Sequence, residues 1–246
     1  LTAFYRFSSG GAKALEYAYS IPLLVSTTGE SSGAYNSFNP GGNSSPVFNW
    51  LSIVNSGTAN FGATVLVFDQ LGNQKPTKSF RINSLPPGAR LDYALGHEEG
   101  QVVGLYRIVP DNNSARYAAF LIRYGLNTAG GYDFAFPLFS LKTSCDDVVI
   151  PASTMDPANN WLEVANPSSQ VVRVEATVRS QSGATLHTET RNLTPFSTNF
   201  HLYLNQYLGA RAVCSVQVRC LGDTTAKSIL VQSLFYGHQT AQTAPK

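Results

Sequence analysis

Val172-Arg173-Val174-Glu175-Ala176-Thr177-Val178-Arg179 alternates apolar and polar residues one for one. A period of two puts Val172, Val174, Ala176 and Val178 on one face of a strand and the polar residues on the other. That is the pattern of a half-buried antiparallel strand. Ser180-Gln181-Ser182-Gly183 follows, and its glycine supplies the positive φ that a tight hairpin turn needs. Working outward, Gly, Pro, Asn and Ser recur about every 8–12 residues between short runs of Val, Ile, Phe and Tyr, the spacing of a sandwich or barrel. No stretch has helical periodicity long enough for a domain-scale helix. The expected class is all-β.

The chain also repeats itself. Asn49-Trp50-Leu51 returns as Asn160-Trp161-Leu162 (161 − 50 = 111), and Asn55-Ser56-Gly57 returns as Asn166-Pro167-Ser168. Tyr124-Gly125 closes the first copy and Tyr236-Gly237 the second. Upstream, Tyr17-Ala18-Tyr19-Ser20-Ile21-Pro22-Leu23 matches Tyr132-Asp133-Phe134-Ala135-Phe136-Pro137-Leu138. Ala3-Phe4-Tyr5-Arg6-Phe7 matches Phe120-Leu121-Ile122-Arg123-Tyr124, the last strand of the first copy. The spacing predicts two tandem antiparallel β-sandwiches related by duplication. Residues 16–128 and 129–246 form the two repeats. Residues 1–15 add a strand that is either the tail of a preceding repeat or one that pairs with a sheet edge. The chain opens at Leu1 without a signal peptide, as a processed chain or excised fragment would.

The segments NWLSIVN, VLVFDQLGN, LPPGARLDY, GQVVGLYRI and AAFLIRYG of the first copy resemble repeats of bacterial secreted and surface proteins. Those repeats are immunoglobulin- or fibronectin-like β-sandwiches, often in tandem. The second copy departs from the pattern, with Phe196-Ser197 in place of the Pro-Gly turn. The resemblance implies a fold and a location, and no catalytic activity.

Of 246 residues, 43% are hydrophobic and only 13% charged, with a formal net charge of +2. About a quarter charged is usual. So weak a field gives nucleic acid nothing to bind. Apolar runs such as Ile21 to Val25 are far short of a membrane span. A surface of Ser, Thr, Asn and Gln suits an extracellular, cell-surface or periplasmic protein.

The candidate residues follow from these patterns. Cys214 and Cys220 share a strand face about 20 Å apart, too far to bond each other. Cys145 could therefore bridge Cys214 or Cys220, or all three could be buried thiols. Trp50 and Trp161 are expected to anchor the core of each repeat, and Asn55 and Asn166 to hold turns through their side chains. Leu66 and Phe68 occupy outward positions where the second copy has Thr177 and Arg179, so something is expected to cover them. Segment 26–45 is expected to be a loop with Tyr35 and Phe38 as contact aromatics. Asp146-Asp147 and Asp111-Asn112-Asn113 gather oxygen ligands without the spacing of a calcium loop. His97-Glu98-Glu99 is expected to be a solvated loop. No nucleophile–base pair, metal-ligand spacing or phosphate loop can be assembled, so no enzyme and no cofactor are expected. The leading expectation is a structural or adhesive module whose partner is a protein or glycan at a cell surface. Further repeats, or an oligomer joined through a strand edge, are compatible with it. The alternative is a carbohydrate-binding module.

Overall fold

A computed structural model describes residues 2–7, 15–21, 26–39, 46–96, 100–126, 132–154, 158–223, 225 and 227–237. It is all-β. The only helical element among the described residues is a single 3-10 turn, Leu204–Gln206. The chain divides into two compact units, 1–143 and 144–246.

In the first unit the strands are β1 (Thr2–Phe7), β2 (Leu15–Ile21), β3 (Ser31–Asn36), β4 (Val47–Asn55), β5 (Phe61–Asp69), β6 (Phe80–Leu85), β7 (Arg90–Ala94), β8 (Val103–Pro110), β9 (Tyr117–Leu126) and β10 (Tyr132–Phe139). One sheet runs β3-β8-β5-β6 and another β10-β9-β4-β7, while β1 pairs with β2. The second unit holds β11 (Val148–Ser153), β12 (Ala158–Ala165), β13 (Val172–Ser180), β14 (Thr185–Leu193), β15 (Phe200–Tyr203), β16 (Val213–Leu221) and β17 (Leu230–Gly237). Its sheets run β11-β16-β13-β14 and β15-β12-β17. The second unit thus uses the strand order of the first, and all pairings between strands are antiparallel. The difference lies at one edge. β10 flanks β9 in the first unit, and no described strand flanks β17 in the second. β10 opens the second repeat by sequence, yet it bonds along β9 and belongs to the compact unit 1–143.

The alternating strand behaves as its pattern demands. Val172, Val174, Ala176 and Val178 are fully buried, against Leu162 and Val164 of β12 and Phe200 and Leu202 of β15. In the first unit Leu51, Ile53, Val65, Tyr106, Ile108 and Leu121 occupy the buried positions. Burying such side chains contributes about 1.5–3 kcal/mol each.

The tryptophans are not the core anchors. Parity along β4 and β12 buries Asn49, Leu51, Asn160 and Leu162, which turns Trp50 and Trp161 to the opposite face, where both are half-buried. The Trp50 indole N–H donates to the Tyr124 hydroxyl (3.0 Å), and the Trp161 ring packs on Tyr203 at 4.9 Å. The asparagine beside each indole carries the structural load. Asn49 Nδ2 donates to Asn36 O (3.2 Å) and its Oδ1 accepts from Asn36 N (3.3 Å). Asn160 does the same to Ser153, at 2.9 and 3.3 Å. Each amide therefore pins the end of β3 or β11 to a strand of the other sheet. A buried amide satisfied in this way specifies how the two sheets meet.

Candidate functional site

The turn after β4 is set by Asn55, which is 1% exposed. Its Nδ2 donates to Ala59 O and Leu85 O, both at 2.8 Å, and its Oδ1 accepts from Gly57 N at 2.9 Å. Asn166 repeats this in the second unit, donating to Gln170 O, Leu193 O and Thr194 O and accepting from Ser168 N. Both side chains hold their turns in the way the sequence suggests.

Above the Asn55 turn lies a polar cleft of about 580 Å³. Asn55 to Asn60, Gly62, Asn83 and, from the β8–β9 turn, Asp111, Asn112 and Ser114 to Arg116 line it. Arg81 grips Asp111 through both guanidinium nitrogens and holds its carboxyl below the usual range. The Asp111 carboxylate lies against Gly62, where an added Cβ would meet it at 2.3 Å. Asn112 Oδ1 accepts from the Ser114 N–H (2.9 Å) and hydroxyl (2.7 Å). Asn60 Nδ2 donates to Ser84 Oγ at 2.8 Å. The rim is a set of amides, hydroxyls and one guanidinium–carboxylate pair. It can hydrogen-bond a polyhydroxylated or amide-rich ligand. Sequence reading singled out Asp111-Asn112-Asn113 as an oxygen cluster, but the convergence of this turn with the Asn55 turn needs the fold.

The other candidate residues are dispersed. Tyr35 is not on a loop. It lies in β3, is 3% exposed, and donates from its hydroxyl to Phe68 O at 3.0 Å. Its ring fits because the cross-strand partner is Gly104, whose added Cβ would stand 2.3 Å from the Tyr35 hydroxyl. Gly33 makes the same room for Tyr106. Phe38 is 45% exposed just beyond β3, near the start of β4, whereas the cleft lies at the end of β4.

Phe68 is buried at 5% together with its cross-strand neighbour Leu105 and with Ala34, so this outward patch is covered, and Leu66 is half-buried. Thr177, read as a wet position, is instead buried at 8% between its cross-strand neighbours Thr188 and Gln217.

Cys145 bonds Cys220, with a Cα–Cα distance of 5.6 Å. Cys214 is a buried free thiol, and burial pushes its pKa up. Asp146 accepts from the Ser144 hydroxyl and Asp147 from Gln217 Nε2 at 3.2 Å, and both carboxylates are exposed. Among the described residues no three His, Cys, Asp or Glu side chains cluster as metal ligands. His97, Glu98 and Glu99 lie outside the described residues.

Compared with known proteins, the chain matches no family model, no curated protein and no solved structure. No helix among the described residues is long and apolar enough to cross a membrane.

Proposed function

We propose that this chain is a non-enzymatic structural or adhesive module of a secreted or cell-surface protein, presenting loops on stiff, repeated β-sandwich units of the immunoglobulin-like kind. The observation that carries this reading is the paired use of buried asparagines. Asn49 and Asn160 pin sheet to sheet, and Asn55 and Asn166 lock the turns, at equivalent places in both units. Chemically versatile side chains are thus committed to holding strands and loops in place, the property a presenting scaffold requires. The Cys145–Cys220 bond supports an oxidising compartment outside the cytosol.

The test is adhesion of beads coated with the chain to cell surfaces and matrix proteins. Adhesion that survives exchange of exposed core-distant residues but is lost on replacing the Asn112–Ser114 turn supports the reading. Turnover of any substrate by the chain would overturn it. The polar cleft favours a second reading, carbohydrate binding. Glycan-array binding that disappears in Asn60→Ala and Asp111→Ala would favour that alternative over protein adhesion.

A further inference from the structure

In the first unit the outer edge of β9 is in use. Leu95 N donates to Asn49 O and Asn55 N donates to Ala89 O, so the odd-numbered residues of β4 bond toward β7. Its even-numbered residues therefore bond toward β9, through Phe120 and Ile122. That leaves Leu121, Arg123 and Gly125 to bond β10, opposite Leu138, Phe136 and Phe134. Ser140 N donating to Ala119 O continues the ladder. Gly125 is part of the fit, because the Phe134 ring stands 2.4 Å from where a Cβ would be. Pro137 faces Ile122, so its missing N–H lies on the far side of β10 and costs this ladder nothing.

β17 repeats this edge, and no described strand lies along it. Ile229 N donates to Ser144 O as Tyr117 N donates to Thr27 O, which aligns the two strands with an offset of 112 (229 − 117). Val231, Ser233 and Phe235 then correspond to Ala119, Leu121 and Arg123, and turn their main-chain groups to an edge that no described strand covers. Ser233 is exposed and Phe235 is 50% exposed. Gly237 keeps the position of Gly125.

A strand shaped for this edge exists in the chain. β2 and the residues after it carry the β10 pattern, with Tyr19, Ile21, Pro22 and Leu23 in place of Phe134, Phe136, Pro137 and Leu138. Within one chain β2 pairs with β1, whose sequence resembles β9, and β2 also lies beside β10. β1 thus covers β2 within one chain, but in a register that sets Thr2 rather than Arg6 opposite Ile21, four residues away from that of β9 on β10.

We propose that β17 of one copy takes the place of β1 on β2 of a second copy, so that the chain associates head to tail by strand addition. The β9–β10 register places Tyr19 opposite Gly237 and Ile21 opposite Phe235. The proposal does not depend on what the loops bind.

The test uses the whole chain and a fluorescent synthetic peptide of residues 15–23. The peptide is expected to bind saturably. Methylating its Tyr19 and Ile21 nitrogens, which face β17, should weaken binding by about tenfold or more, the order expected for two lost main-chain hydrogen bonds. Methylating Ala18 and Ser20, which face away, should leave binding within about twofold. Ser233→Pro removes one outward N–H at an edge where proline is tolerated, and should weaken binding several-fold or more while circular dichroism and melting stay unchanged. Sedimentation should show concentration-dependent association of the chain that excess peptide reverses. Absence of peptide binding, or equal effects of both methylation patterns, overturns the proposal. So does a chain that remains monomeric at every concentration while the peptide binds, since the second copy would then not be the occupant.

Discussion

Asn166→Ala should be among the most destabilising single-atom-group deletions in the second unit. The side chain is fully buried. Its Nδ2 donates to Gln170 O at 2.7 Å, Leu193 O at 3.1 Å and Thr194 O at 2.9 Å, and its Oδ1 accepts from Ser168 N at 2.9 Å. The Leu193 carbonyl is buried, so leaving it unpaired costs about 1–3 kcal/mol. The other groups are only part-buried and water can reach them, so each loses about 0.5–1 kcal/mol. Together these come to about 2.5–6 kcal/mol. Asn166→Asp should cost more, because it turns an oxygen toward three carbonyl oxygens. The assay is urea unfolding in a Trp50→Phe background, where Trp161 is the only remaining indole and its fluorescence reports the second unit. A loss below about 1 kcal/mol for Asn166→Ala would refute the view that this amide holds the turn.

Other outcomes follow from the same contacts. Reducing Cys145–Cys220 opens a link between residues 75 apart in sequence and should lower the stability of the second unit by about 4 kcal/mol, leaving Trp50 fluorescence in the first unit unchanged on melting. Gly104→Ala should destabilise the first unit by about 3 kcal/mol, since its Cβ would meet Phe68 O at 2.1 Å, and thermal melting reads the loss. Burial pushes the Tyr117 hydroxyl up to about 12 and raises Tyr106 as well. The folded pKa lies above the unfolded value of 10, so this contribution is complete below pH 10 and is lost as pH rises toward 12. Tyrosinate absorbance should therefore rise together with loss of β circular dichroism in that window, and full ionisation near pH 10 with the fold intact would contradict it.

Much of the fold is legible in the sequence where only one face of a strand is apolar. Val172 to Arg179 alternates cleanly, so its inward set can be read directly and coincides with buried β13 residues. β4 is different. Val47, Phe48, Trp50, Leu51, Ile53 and Val54 place apolar residues on both faces. Parity then has no sequence marker, and the largest side chain draws attention from the buried Asn49 beside it. Tyr35 is hidden for a related reason. Ser31-Ser32-Gly33-Ala34 resembles loop composition, but small residues are what β3 needs to let Tyr106 and Tyr35 pack across it. The asparagine turns are visible because an Asx turn is local, two residues long. The polar cleft is not, because it joins residues about 55 apart in sequence that meet through the β4–β9 and β5–β8 pairings.

Amide hydrogen exchange along β9 and β17 measures most directly whether one strand order is used twice and closed by an added strand only once. At low protein concentration, Leu121 and Arg123 should be protected in the first unit. In the second, Leu230, Gln232 and Leu234 should be protected while Val231, Ser233 and Phe235 exchange near the free rate. Uniform protection along β17, or fast exchange at Leu121 and Arg123, would contradict it.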